Sequence, residues 1–147
     1  MSLKLAAILV PIALALFPSS TDAVQLQYDT IYDNSNGDLN TVACSDGPNG
    51  MLTAGYSTFG SLPKFPFIGA AEAVQGWNSA ACGTCWELTY TTKSAKRAIN
   101  VLAIDHASLG LNIAKKAMDQ LTGNQAQELG KIDVQARQVP SSVCGLN

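Results

Sequence analysis

Histidine occurs once in this chain, at His106, and only one Cys-x-x-Cys is present. A tetrahedral zinc site is therefore disfavoured. The Gly-x-Ser-x-Gly elbow, the phosphate-binding loop and the His-Glu-x-x-His helix are all missing, which removes three common routes to hydrolysis. Cations are scarce as well. Lysine and arginine total 9 against 11 acidic residues, a formal net charge of -2, so no basic surface is available to neutralise phosphates and nucleic acid is not an expected partner. No Asn-x-Ser/Thr sequon occurs, so N-glycosylation is not expected. Internal repeats and a second domain are not evident.

The one long apolar run lies at the start. Met1-Ser2-Leu3-Lys4 supplies a basic residue, Leu5 to Phe17 is apolar, and Pro18-Ser19-Ser20-Thr21-Asp22-Ala23 is small and polar. That order is the order of a secretory signal peptide. The run is shorter than the ~20 residues a membrane-spanning helix needs, so a membrane anchor is not expected. Residues 1–23 are read as a cleaved leader, with Thr21 and Ala23 as the small residues before the cut, and residues 24–147 as one secreted domain large enough to hold a core. Asp29, Asp33, Asp38 and Asp46 all precede Lys64, the first cation after the leader; a solvated acidic surface explains most of them.

Export changes how Cys44, Cys82, Cys85 and Cys144 are read. An even number of cysteines in an exported domain points first to disulfides. Four cysteines allow three pairings. Joining Cys82 to Cys85 leaves one very small loop and one very large loop. Pairing Cys44 with Cys82 and Cys85 with Cys144 instead closes loops of roughly 40 and 60 residues, each worth about 4 kcal/mol in the chain-entropy view. We prefer the second arrangement, although spacing alone does not decide it. A thioredoxin-like centre would open a helix after a buried strand, whereas Trp86-Glu87-Leu88-Thr89-Tyr90-Thr91 alternates like a strand.

Strand patterns recur at Val24–Tyr28, Trp86–Thr91, Ile99–Ile104 and Ile132–Val139. Thr92 to Arg97 is expected to be an exposed hairpin tip. Turn clusters occupy Asp33–Asp38 and Ser45–Gly50, and Pro63 and Pro66 limit regular structure between Thr58 and Phe67. Phe59, Phe65 and Phe67 in that stretch are expected to fold back onto the core. Ala70 to Val74 reads as a short helix ended by Gly76. Ile113, Ala114, Ala117, Met118 and Leu121 share one face of a longer helix, capped by Asn112 and stopped by Gly123. Many strands, few helices and long loops point to a compact β-barrel, a mainly β fold.

Few side chains are placed for catalysis. His106 has no nucleophile partner once the cysteines are bridged, and is read as structural. A glycosidase needs two carboxyl groups across a sugar bond. Asp105 closes the strand Asn100 to Ile104, but the loop His106-Ala107-Ser108-Leu109-Gly110-Leu111-Asn112 supplies no second acid.

The motifs Cys44-Ser45-Asp46-Gly47, Phe65-Pro66 with Ile68-Gly69, Gly76-Trp77-Asn78-Ser79, Cys82-Gly83-Thr84-Cys85-Trp86, Asn100 to Ala107 and Cys144-Gly145-Leu146 together resemble the cerato-platanin family over essentially the whole chain after the leader. The resemblance implies a secreted fungal protein with a single double-ψ β-barrel domain, like the first domain of expansins. It also implies the bridges Cys44–Cys82 and Cys85–Cys144.

As function, the resemblance implies a non-catalytic carbohydrate-binding protein. Such a protein binds chitin and N-acetylglucosamine oligomers, loosens cellulose without cutting it, and acts on plants as an elicitor through a receptor. Extracellular and cell-wall localisation, a monomer able to self-assemble at interfaces, and no cofactor or metal are further expectations. A weak glycoside hydrolase on the same barrel and an interface-assembling wall protein are the alternatives. In expansin-like barrels a strand-end aspartate and an aspartate opening the next helix form the polysaccharide-facing pair; Asp105 is placed like the first and Asn112 like the second. Asparagine has no titratable proton to give, yet its amide can bond sugar hydroxyls. Ser45, Asp46, Gly47 and Thr84 complete the expected carbohydrate-binding set. Trp86, between two bridges, is assigned to the core, while Trp77 is left open between core and sugar-stacking platform.

Overall fold

The computed structural model describes residues 22–147; the expected leader lies outside these residues except for Asp22 and Ala23. Six strands hydrogen-bond in the closed order β1-β5-β2-β4-β3-β6. They are β1 (Asp22–Tyr28), β2 (Ile68–Ala71), β3 (Cys85–Thr91), β4 (Lys96–His106), β5 (Leu111–Ile113) and β6 (Lys131–Val139). The pairs β1/β5 and β2/β4 are parallel and the other four antiparallel. This is the mainly β, double-ψ barrel implied by the resemblance, and closure removes every free sheet edge.

Alternation sets the inner face. Along β6 the residues Ile132, Val134 and Ala136 are buried while Lys131, Asp133 and Gln135 are exposed, the period-two pattern of a strand with one wet side. Centrally, β4 breaks that pattern: Val101, Leu102, Ala103 and Ile104 are all buried. Its outer side is covered by the long connection between β1 and β2, which buries Leu39, Phe59 and Leu62 and brings Cys44 N–H to the carbonyl of Ile104 at 3.0 Å. Phe59 is fully buried and Phe65 and Phe67 are half-buried against the core, as the sequence suggested. Burial of one such large side chain stabilises the fold by roughly 1.5–3 kcal/mol.

The helices differ from expectation in two places. Ala70 and Ala71 belong to β2, and only a turn follows at Glu72. Alanine's helical preference is a few tenths of a kcal/mol per residue, and backbone pairing with β4 on one side and β5 on the other outweighs it. The longer helix, α1 (Lys115–Thr122), begins two residues later than its apolar pattern suggests, because Leu111–Ile113 is strand β5. Asn112 is therefore not its cap. Ala114 stands at that position without a side-chain bond, and the carboxylate of Asp33 accepts from the backbone N–H groups of Lys115 and Lys116 at 3.0 and 2.9 Å. Gly123 does end the helix, in the left-handed conformation at φ 69°. A second short helix, α2 (Ala126–Leu129), follows.

The hairpin between β3 and β4 turns at Thr92–Ala95, where Thr92 N–H bonds the Ala95 carbonyl. Lys96 and Arg97, expected in the tip, are the first residues of β4 and pair with Thr91 and Tyr90. Both disulfides match the implied pairing. Cys44–Cys82 and Cys85–Cys144 have Cα separations of 5.5 and 5.7 Å, and none of the described cysteines is free.

Candidate functional site

Asp105 stands near the end of β4 and is the most heavily bonded carboxylate of this region. Its Oδ1 accepts from Ala43 N–H at 3.0 Å and from His106 N–H at 2.9 Å, and its Oδ2 accepts from the Tyr32 hydroxyl at 2.9 Å. Three of the roughly four acceptor positions of a carboxylate are thus filled. Burial, reinforced by the charge and hydrogen bond of Asp105, pushes the Tyr32 phenol far above its ordinary value near 10, so Tyr32 stays a donor. Its ring also packs on Phe59, with centroids 6.0 Å apart.

Asn112 lies on β5, paired with Gln27 of β1 and with Ala70 of β2. Ala70 also pairs with Asp105. The two expected site residues therefore flank one buried alanine across three adjacent strands, about 10 Å apart at the backbone. Asn112 Oδ1 is buried and has no hydrogen-bond partner among the described residues.

The second part of the site is the loop after Cys44. Two docking bonds hold the cysteine segments to the same stretch of β4: Cys44 N–H to Ile104 O, and Gly83 N–H to Ala103 O at 2.9 Å. The Cys44–Cys82 bridge fastens them together. Beyond it, Asp46 Oδ1 accepts from the Trp77 indole N–H at 2.6 Å and, more weakly, from the Ser45 hydroxyl at 3.4 Å. Asn49 donates two more bonds to Asn78, from its backbone N–H to Oδ1 at 3.0 Å and from its side-chain amide to the backbone carbonyl at 3.1 Å. Gly47, at φ 79°, lies so close to Asn78 and Trp77 that a Cβ there would sit 2.9 Å from the Asn78 side-chain oxygen. Only glycine fits both that backbone and that contact. Trp77 itself is 63 % exposed: its N–H is pinned by Asp46 and much of its ring faces solvent.

Thr84 is differently employed. Its hydroxyl donates to Ala81 O at 2.6 Å and accepts from the Trp86 indole N–H at 2.9 Å, so it seats Trp86, which packs half-buried against the core. His106 Nδ1 meets Val74 O at 2.6 Å; since a carbonyl only accepts, this nitrogen carries the proton and the ring holds the β2–β3 connection in place. Ala43 to Asp46 thus bridges two points, Asp105 and Trp77, with Ser45 buried between them. Tyr32 carries no mark in the sequence, and Asp33 reads there only as part of an acidic surface and a turn cluster. Their partners lie 73 and 82 residues away, and no local pattern marks such pairs. Among the described residues no group of three His, Cys, Asp or Glu side chains is arranged to hold a metal ion, and no helix is long and apolar enough to cross a membrane.

A cerato-platanin family model matches residues 24–146. The heat-stable 19 kDa antigen of Coccidioides posadasii is 48% identical over 141 residues, spanning 96% of this chain and 92% of the antigen. Among solved structures, cerato-platanin 2 from M. perniciosa superposes with a TM-score of 0.81 at 54% identity, covering 85% of this chain and all of that one (100%). The solution structure described as the fungal elicitor cerato-platanin gives a TM-score of 0.71 at 35% identity, covering 84% and 100%.

Proposed function

This chain belongs to the cerato-platanin family, and from that membership we propose that it is a secreted, non-catalytic carbohydrate-binding protein of fungal origin. Its ligands are chitin-type N-acetylglucosamine oligomers, and it loosens cellulose-like material by competing for contacts between chains. Elicitation of plant defence accompanies this role, in keeping with the elicitor among its structural relatives. The secretome and the cell wall are its places of action.

The observation that carries the reading is the shared neighbour Ala70, which sets the Asp105 carboxylate and the Asn112 amide on flanking strands. Asp105 retains about one acceptor position for a sugar hydroxyl. The loop Ser45-Asp46-Gly47 extends the polar surface toward Trp77, whose exposed ring suits the apolar face of a pyranose. Thr84 contributes by fixing the Cys82–Cys85 segment rather than by offering a free hydroxyl. Hydrolysis is not expected, because an amide at the Asn112 position has no proton to deliver to a leaving oxygen.

Calorimetric titration with chitin oligomers, run beside a reducing-sugar assay, tests this. Saturable binding without new reducing ends, weakened in Asp105→Ala and in Trp77→Ala, is the expected result. Release of shorter oligomers that disappears in Asp105→Asn would replace the reading with a hydrolase. Absence of binding to any oligomer, with surface activity retained, would favour an assembling wall protein.

A further inference from the structure

An opening lies against β1, β2, β3, β5 and β6, and meets the surface around Trp77 at Ala73 and Gln75. It is a cavity of about 360 Å³, within the size range of small-ligand sites. Val24, Ala71, Leu111 and Ala136 give it aliphatic walls, and Trp86 forms one side. The indole N–H of Trp86 is taken by Thr84, so the ring has no donor to offer a ligand and acts there as a carbon surface. Among the lining residues Glu72 alone is ionisable. Its Oε2 accepts from Gly110 N–H at 3.2 Å. Its Oε1 has no partner among the described residues, and Glu72 takes part in neither of the ion pairs they form, Lys115–Asp119 and Arg137–Glu87.

From this geometry we infer that this opening is a binding site for small amines with an aromatic or branched aliphatic body. An uncompensated carboxylate at the rim of a cavity favours a cation through a charge-assisted hydrogen bond. The indole adds cation–π attraction, and the methyl-lined walls favour an apolar body over a hydrated one. A carboxylate ligand of the same shape meets repulsion from Glu72. The small side chains at Ala71 and Ala136 leave the space open; a leucine at either position would occupy it.

The test follows amide and methyl resonances of the isotopically labelled secreted protein at neutral pH during titration with three probes of one shape. These are phenethylamine, 2-phenylethanol and 3-phenylpropionate. Phenethylamine shifts Val24, Ala71 and Ala136 saturably, the alcohol binds about tenfold more weakly, and the acid more weakly still. Glu72→Gln, at an exposed position, brings amine and alcohol to equal affinity. Ala136→Leu abolishes all three titrations while the rest of the spectrum is preserved; should that variant misfold, Ala73→Leu at the exposed rim replaces it. Equal affinities for the three probes on the unaltered protein would overturn recognition of the ammonium group. No saturable shift up to the solubility limit, or shifts that persist unchanged in the folded filling variant, would overturn the site.

Discussion

Tyr32 donates its hydroxyl to Oδ2 of Asp105 across a separation of 73 residues, tying the segment after β1 to the end of the central strand. A hydrogen bond to a charged group contributes about 1.5–3 kcal/mol. Tyr32→Phe is expected to lower unfolding stability by about that amount in urea denaturation. It also frees one Asp105 oxygen, so affinity for oligosaccharide should not fall in proportion to stability. A parallel loss of both would mean that Tyr32 shapes the binding surface as well.

The same tyrosine gives the protein an alkaline limit. Its phenol is raised in the folded state by burial and by Asp105. Above the ordinary tyrosine value near 10 the unfolded chain loses this proton while the folded chain keeps it. The unfolded state then binds fewer protons, so stability falls as pH rises, by at most about 1.4 kcal/mol per pH unit from this group. Below that pH the contribution is fully present. Denaturation midpoints compared at pH 8 and pH 11 should show the loss, and Tyr32→Phe should show a shallower one.

Helix α1 takes its cap from a distant part of the chain. Asp33→Ala removes two bonds to N–H groups of its first turn and should cost about 0.5–2 kcal/mol. Thermal unfolding measures this directly. Asp33→Asn should recover much of the loss, because an amide oxygen still accepts.

Separating the two tryptophans separates ligand binding from folding. Trp77→Ala should leave the melting temperature nearly unchanged, since the side chain is 63 % exposed, while reducing affinity for chitin oligomers. Trp86→Ala removes a ring packed against the core and should be destabilising by up to about 3–5 kcal/mol. Differential scanning calorimetry and oligomer titration on both variants check the division.

The two bridges should likewise differ in effect. Replacing Cys85 and Cys144 with alanine releases the C-terminus and should cost about 2–5 kcal/mol of stability. Replacing Cys44 and Cys82 should cost a similar amount and, in addition, weaken oligosaccharide binding, because that bridge holds the Ser45-Asp46-Gly47 loop beside Trp77. Binding equally impaired in both double variants would detach the loop from the site.

Much of the barrel is written locally. The alternation of Trp86–Thr91 and Ile132–Val139 marks β3 and β6 to within a residue, and the phenylalanines of the long connection turn inward as their hydrophobicity demands. Where a segment's neighbours outweigh its own preference, the local signal misleads. Ala70 and Ala71 have helical propensity, but strands on both sides draw them into β2. Asn112 has the chemistry of a helix cap and the apolar pattern around it looks helical, yet parallel pairing with Gln27 commits it to β5. The cap then falls to Asp33, which nothing near residue 115 announces. The same limit applies to the site: Asp105 can be read from its strand-end position, whereas Tyr32 and the Asp46–Trp77 bond exist only once the chain is folded.

The closing of the barrel sets an order in which its strands can pair. β1 comes first in the sequence but has only β5 and β6 as partners, and these begin at Leu111 and Lys131. The first strand therefore has no sheet partner close to it in sequence, and its pairing needs contacts across more than half of the barrel domain. Closure is thus a long-range event in which β6 joins β1 to β3, and a truncation lacking β6 should be an open chain sensitive to proteases.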